Sequence, residues 1–251
     1  MNIEIIKEPT ENKPYLIIYK PSGLPSAPIN EQDKNNAFSQ AAQLFPELLQ
    51  VKGIKEIEHG LLHRIDTVTS GLLIIAASQK CYDFLIEKQK NNQILKTYSA
   101  ICQFDSNNYE GFPIIEKKSS FKEGESFTIS SYFRPFGVGR KEVRPVTVDS
   151  NKAAINKIGK QILYQTQVYI KKIINEKEVL VECKITNGFR HQVRAHLAWY
   201  GLPIKNDSLY NQIYKQDKKN AEEQIMFSAT KIEFEYPERD LNSYDRKDTW
   251  T

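Results

Sequence analysis

Six consecutive apolar residues, Leu72-Leu73-Ile74-Ile75-Ala76-Ala77, follow without a break on a charged, turn-forming stretch, His63-Arg64-Ile65-Asp66-Thr67-Val68-Thr69-Ser70-Gly71. A run this short, bounded by Gly71 and Ser78, is too brief for a membrane span and reads as a buried strand. It delivers one carboxylate, Asp66, to the mouth of a sheet, with an arginine two residues before it.

The rest of the chain alternates in the same β-rich manner. Tyr15 to Tyr19 is a compact strand stopped by Lys20-Pro21-Ser22-Gly23-Leu24-Pro25, where proline and glycine enforce a turn. Phe38, Ala41, Ala42 and Phe45 recur at helical spacing before Pro46. Ser78 is placed to cap a helix carrying Cys81, Phe84, Leu85 and Lys88, which Asn91-Asn92 ends. Period-two patterns over Leu95–Phe104, Phe127–Phe133, Ile162–Ile170 and Val179–Ile185 suggest a largely antiparallel sheet. The span 137 to 160, rich in Lys, Arg and Gly, reads as a mobile basic segment, with a merely solvated loop as the alternative. Asn187-Gly188 turns the chain into a short helix with Val193, Leu197 and Tyr200 on one side and Gly201 at its end. A last strand alternates Ile232, Phe234 and Tyr236 with charged residues, before a polar tail from Pro237. No internal repeat or long linker divides the 251 residues, so a single domain with a core of about 15–237 is expected.

The formal net charge of +4 is compatible with a polyanionic partner without requiring one. Three cysteines, Cys81, Cys102 and Cys183, are widely separated and lack the close pairs of zinc or redox motifs, so a reducing cytoplasm fits. The N-terminus shows no signal-peptide core, and no membrane association is expected. Nothing such as a coiled coil demands assembly, so a monomer is expected.

Four histidines raise the question of a metal. His59-Gly60-Leu61-Leu62-His63 lacks the glutamate that a zinc-protease helix uses as base, and Gly60 weakens a helix there. His191 and His196 are five apart, so on a helix they diverge by about 140°. Hydrogen-bonding roles for the histidines are expected, and no metal. Asp66 is the better candidate for chemistry. A second cluster, Gly188, Arg190, His191, Gln192, Arg194 and His196, supplies cations able to keep a carboxylate ionised and oriented. On these residues alone a buried Asp–Arg brace between two elements competes with a catalytic role.

The stretch His63 to Ala77 resembles the HRLDxxTSGLLLxA signature of the RluA-type pseudouridine synthases. Four further segments match that family in order: Leu16 to Pro25 resembles its strand-KPxGLP segment, Lys96-Thr97-Tyr98-Ser99-Ala100 its KxYxA strand, Gly188 to Leu197 its GRxHQIRxHL, and Gly201, Pro203, Ile204, Asp207 and Tyr210 its GxPIxGDxxY. Phe227 to Pro237 is similar to its closing strand. The resemblance implies an α+β fold, with a mixed, mainly antiparallel sheet flanked by helices and loops and a central cleft carrying the catalytic aspartate. It implies RNA pseudouridine synthase activity on rRNA or tRNA without a cofactor, and structured RNA as the partner. Asp66 takes the catalytic role, Tyr98 stacks on the target base, Arg194 pairs with the aspartate, and Arg64 helps displace the uridine. His63, Thr69, Arg190, His191, Gln192 and Lys20 complete the implied substrate-binding set.

That chemistry agrees with the residue types. Uridine becomes pseudouridine when the N-glycosidic bond breaks, the uracil rotates and C5 rejoins the sugar, with no redox step. A carboxylate can act covalently or take a sugar proton, an aromatic face can hold the rotating base, and a cation can hold the flipped state open. A hydrolytic glycosidase usually needs a second carboxylate to activate water, and neither signature segment supplies one. An RNA-binding or chaperone module without catalysis is a further alternative, against which the intact Asp66, Tyr98 and Arg194 argue.

Three departures stand out. Ile65 and Val193 replace Leu and Ile with little change in volume. Phe189 stands between Gly188 and Arg190, displacing the glycine by one place, and Asn206 replaces a glycine before Asp207. About a dozen residues precede the first strand, so the S4-type RNA-binding domain of many relatives is expected to be absent.

Overall fold

The computed structural model describes residues 1–118, 120–216, 223–237, 239–246 and 250. The chain forms two compact units, one of Met1–Thr97 with Ser228–Thr251 and one of Tyr98–Phe227.

In chain order the strands are β1 (Glu4–Lys7), β2 (Tyr15–Lys20), β3 (Ser70–Ala76), β4 (Leu95–Gln103), β5 (Ser126–Phe136), β6 (Glu142–Val146), β7 (Tyr164–Ile173), β8 (Glu178–Ile185), β9 (Phe227–Glu235) and β10 (Leu241–Asp245). The helices are α1 (Ala37–Leu44), α2 (Gln79–Lys90), α3 (Lys152–Ile155), α4 (Gln192–Trp199) and α5 (Gln212–Gln216). This is the expected α+β class. The unit boundaries fall within β4 and at the first residue of β9.

In the first unit the strand order is β1-β2-β3-β9, with β10 also on β9. Every residue of β3 is buried, as its uninterrupted apolar run requires: Leu72 and Ile74 join Tyr15, Ile17 and Leu85 of α2 in one core, while Leu73 and Ile75 are enclosed on the opposite face. Ser78 caps α2 by accepting from the Cys81 amide, and Asn91 closes it. β3 runs antiparallel to β2 and parallel to β9, the latter through Ser70 opposite Ser228 and Gly71 opposite Ala229. A Cβ on Gly71 would lie 2.5 Å from atoms of Ala229, and the residue has φ +138, so glycine is required where the turn enters the sheet.

Two elements of this unit run against the sequence pattern. β1 precedes the first strand expected, and its Glu-Ile-Ile-Lys is too short to show a period. The polar tail from Pro237 contributes a strand of its own, since β10 returns antiparallel to β9. Its only fully enclosed side chain among Leu241–Asp245, Asn242, donates to the Tyr236 and Asp240 carbonyls.

In the second unit the order is β4-β8-β7-β5-β6. β7 alternates buried and exposed residues and β8 buried and half-buried ones, as the period-two pattern dictates, with Thr166, Val168 and Ile170 inside and Val179, Val181, Cys183 and Ile185 inside. Ile162 does not extend this pattern: it is exposed and lies two residues before β7 begins. The span 137 to 160 is not one mobile loop either, because β6 and α3 lie within it and β6 pairs with β5. Arg144 of β6 is buried, its guanidinium 4.4 Å from the ring centroids of both Phe112 and Phe136 and donating to the Glu110 carbonyl. α4 packs on β6 and β7 and is buried on all sides rather than along one stripe. Phe189, the residue out of family pattern, stacks on Phe133 at 5.1 Å and extends the core. Asn206 adopts φ +63, the left-handed conformation that glycine would take at that position, and its side chain donates to the Gln224 carbonyl.

Candidate active site

Asp66 sits on a turn closed by the Thr69 amide donating to the Asp66 carbonyl at 2.9 Å. The proline- and glycine-rich loop after β2 is laced to this turn along its whole length. Ser26 Oγ donates to the Ile65 carbonyl at 2.7 Å and accepts from the Ile65 amide at 3.1 Å. The Gly23 amide donates to the Thr67 carbonyl, and Ser22 Oγ to the Val68 carbonyl. Lys20 is fully buried, and its ammonium donates to the carbonyls of Pro21, Leu24 and Thr67. Burial pulls the Lys20 amine down to about 7, against the opposing pull of the Asp66 charge.

These braces fix the backbone on both sides of Asp66. Replacing Ser26 with Ala is expected to destabilise the chain by about 1–3 kcal/mol, because a buried amide and carbonyl lose their shared partner. A denaturant midpoint indistinguishable from that of the wild type would contradict this account of the turn.

Around Asp66, Arg64 is exposed and forms an ion pair with Glu58 at 3.1 Å, an interaction of low energy that a ligand can replace. Thr69 is buried, and among the described residues its hydroxyl has no hydrogen-bond partner. Both ring nitrogens of His63 are enclosed and have no partner among the described residues, and burial, aided by the Lys96 charge, holds the ring well below the usual histidine range. Lys20, His63, Arg64, Asp66 and Thr69 are thus gathered within the first unit.

The second unit gathers Tyr98, Arg190, His191, Gln192 and Arg194. Phe227 stacks on the Tyr98 ring, with centroids 5.2 Å apart and planes 14° from parallel. Arg194, 2% exposed, grips Asp207 in a two-pronged pair, Nε to Oδ2 at 2.8 Å and Nη2 to Oδ1 at 2.7 Å. Asp207 Oδ1 also accepts the Leu209 and Tyr210 amides, so the carboxylate is itself rigidly held. Arg194 also lies over the Tyr210 ring at 5.3 Å.

His191, with φ +57, directly precedes α4 and shares a 3.0 Å hydrogen bond with the Tyr210 hydroxyl, which accepts from the Val143 amide. Gln192 is buried, accepting from the Phe189 amide and donating to the Gln165 carbonyl. Arg190 is exposed and donates to the carbonyls of Arg140 and Glu142. His196 bridges Ser131 and Thr166 inside the core, where burial lowers it to about 3. His59 stacks on Phe38. Among the described residues, no group of three or more His, Cys, Asp or Glu side chains could hold a metal ion. No described helix is long and apolar enough to cross a membrane.

Residue patterns alone left several of these positions unassigned. Ser26 is 39 residues from Ile65, and only the folded chain joins them. Asp207 carried a signal, its place in the GxPIxGDxxY-like stretch, but not its partner, Arg194.

The family model described as RNA pseudouridylate synthase matches residues 14–199. The chain is 27% identical over 201 residues to the tRNA pseudouridine(31) synthase of Saccharomyces cerevisiae, covering 80% of this chain and 45% of that protein. It is 24% identical over 215 residues to an uncharacterized RNA pseudouridine synthase of Bacillus subtilis, YlyB, covering 83% and 60%. The chain therefore spans about half the length of these relatives. Human RNA Pseudouridylate Synthase Domain Containing 1 has a similar fold, with a TM-score of 0.67 at 16% identity, over 100% of this chain and 85% of that one.

Proposed function

Because the chain belongs to the RNA pseudouridylate synthase family, we propose that it isomerises uridine to pseudouridine in structured RNA, with Asp66 as the catalytic carboxylate. The observation that supports this most is the bracing of the Asp66 turn by Ser22, Gly23, Ser26 and Lys20, which pre-positions one carboxylate before any substrate arrives.

In this reading the two units act as one catalytic domain, and a monomer suffices. Arg64 leaves Glu58 to hold the target uridine out of its stack. The base lies on the Tyr98 face opposite Phe227. Arg194, fixed by its two-pronged pair with Asp207, is the oriented cation of the catalytic set. Asp66 then attacks the sugar or removes a sugar proton, the uracil turns on Tyr98, and C5 rejoins the sugar. The substrate is rRNA or tRNA. Three buried, free cysteines suit a reducing compartment such as the cytoplasm.

Exposed Arg140, Lys141, Lys152, Lys157 and Lys160 supply phosphate contacts; buried Arg144 does not. Replacing two or three of the exposed cations is expected to weaken RNA binding and flatten its dependence on salt while leaving the rate at saturation unchanged. Filter binding at several salt concentrations, paired with single-turnover rates, measures both.

The direct test incubates the purified chain with cellular RNA and maps pseudouridine. New pseudouridine at defined sites is the expected result. Release of free uracil would make the chain a glycosidase, and salt-sensitive binding without any product would make it an RNA-binding protein.

A further inference from the structure

Lys96 lies on β4, two residues before Tyr98, so the two side chains leave the strand on the same side. It is 5% exposed, and among the described residues no hydrogen bond or ion pair engages its ammonium. A lysine buried to this extent normally has a carboxylate partner. Beside it lies His63, close enough for the Lys96 charge to act on the imidazole, whose two nitrogens are both enclosed and unpartnered. Among the described residues, then, the Lys96 ammonium offers donors, and the neutral His63 ring one donor and one acceptor, that no protein group engages; one lies three residues before Asp66 and the other two before Tyr98. Burial alone pulls the Lys96 amine down to about 8, a sign of how dry its surroundings are.

We propose that Lys96, with His63 beside it, is a further catalytic group that holds the carbonyl edge of the displaced uracil and stabilises the negative charge the detached ring carries. This rests on the pseudouridine synthase reading above. When the bond from N1 to the sugar breaks, its electron pair stays on the uracil and spreads over N1 and the two carbonyl oxygens. A preorganised cation at those oxygens lowers the barrier to that step. The charge is removed when the ring donates a pair to form the new bond from C5 to the sugar. The proton on C5 then departs and N1 takes one up, so the product is an isomer of the substrate. A backbone phosphate is the other anion available in RNA, but a phosphodiester remains at the surface, whereas the flipped base is the part that enters a buried pocket.

The test compares wild type with Lys96→Met, which keeps the length and removes the charge. Four quantities are measured: melting temperature, RNA affinity, single-turnover rate on uridine RNA, and the same rate on RNA carrying 5-fluorouridine at the target. The last is followed as loss of the starting nucleoside. The fluorinated ring bears negative charge more readily, so it depends less on an external cation. The variant is expected to melt higher than wild type, to bind RNA equally well, and to react about 100-fold more slowly on uridine. On 5-fluorouridine the deficit is expected to shrink to about 10-fold or less. A lower melting temperature would make Lys96 structural, and weaker binding with an unchanged rate would make it a phosphate contact. Equal deficits on both substrates, or none, would remove its role in charge stabilisation. A wild-type chain that converts no uridine overturns the underlying reading and this proposal with it, whereas a converting wild type with an equally fast variant overturns the proposal alone.

Discussion

Replacing Asp207 with Ala is expected to destabilise the protein by about 3–5 kcal/mol, the range for stranding one member of a buried ion pair. Arg194 is 2% exposed and Asp207 fully buried, so the guanidinium left behind can neither reach water readily nor shed its proton. The Leu209 and Tyr210 amides lose their acceptor at the same time. Asp207→Asn retains an oxygen for those amides but not the charge, and its effect is expected to be smaller. Chemical denaturation of the two variants beside the wild type gives the order directly. In the proposed mechanism the same variants lose activity even where they remain folded, because Arg194 no longer has a fixed orientation. A fully stable Asp207→Ala chain would show that the second unit does not depend on this pair.

The second large effect is on pH. Lys20 and Lys96 have amines lowered to about 7 and about 8, while in the unfolded chain both stay near the ordinary lysine value of about 10.4. As the pH rises past 7, the folded state gives up these protons and the unfolded state keeps them. Stability therefore rises with pH across this interval. The buried thiols of Cys81, Cys102 and Cys183 are pushed up and act in the opposite direction once the pH passes about 8.5, so the rise is expected between 7 and 8.5. Comparison with Lys96→Met separates these effects, since the thiols are common to both chains. At pH 7 the variant lacks a buried-charge penalty of about 3 kcal/mol, because burial lowers the Lys96 amine to about 8. Its advantage is expected to narrow steadily as the pH approaches 9. An advantage that stays constant with pH would mean that Lys96 titrates normally.

The parts of the fold that were legible in the sequence are those where one physical rule dominates. Period-two alternation in β7 and β8 survived into the structure because one face of each strand is fully covered and the other is open in β7 and only partly covered in β8. Ser78 was readable as a cap because its local geometry involves only the next three residues. β6 was obscured because Arg144 and Pro145 sit among Val143 and Val146, and a stretch counted as charge turned out to bury its arginine between two aromatic rings. α4 has no polar stripe to reveal its face, since even its arginine and histidine are satisfied internally by Asp207, Ser131 and Thr166. β10 joins β9 through a backbone pairing that its polar side chains do not advertise.

The candidate site followed the same division. Asp66 announced itself through its turn and its resemblance to a known signature. The groups that hold it still, Ser26 and Lys20, lie about 40 residues away in sequence and act through backbone carbonyls. Lys20 was expected among the substrate-binding residues, and the structure places it as a buried brace with three carbonyl partners. Thr69 and Gln192, expected in the same set, are likewise buried; the Thr69 amide closes the Asp66 turn, and the Gln192 side chain joins the Phe189 amide to the Gln165 carbonyl.

In the proposed mechanism Asp66 is the carboxylate on which the chemistry turns. Its most direct test is the single-turnover formation of pseudouridine in RNA by wild type and by Asp66→Ala, at equal RNA occupancy and with melting temperatures matched. Because the braces on the turn are made by backbone atoms and by other side chains, the variant is expected to fold and to bind RNA as the wild type does, yet to form no detectable pseudouridine. Equal rates for the two proteins would show that Asp66 is not the catalytic carboxylate.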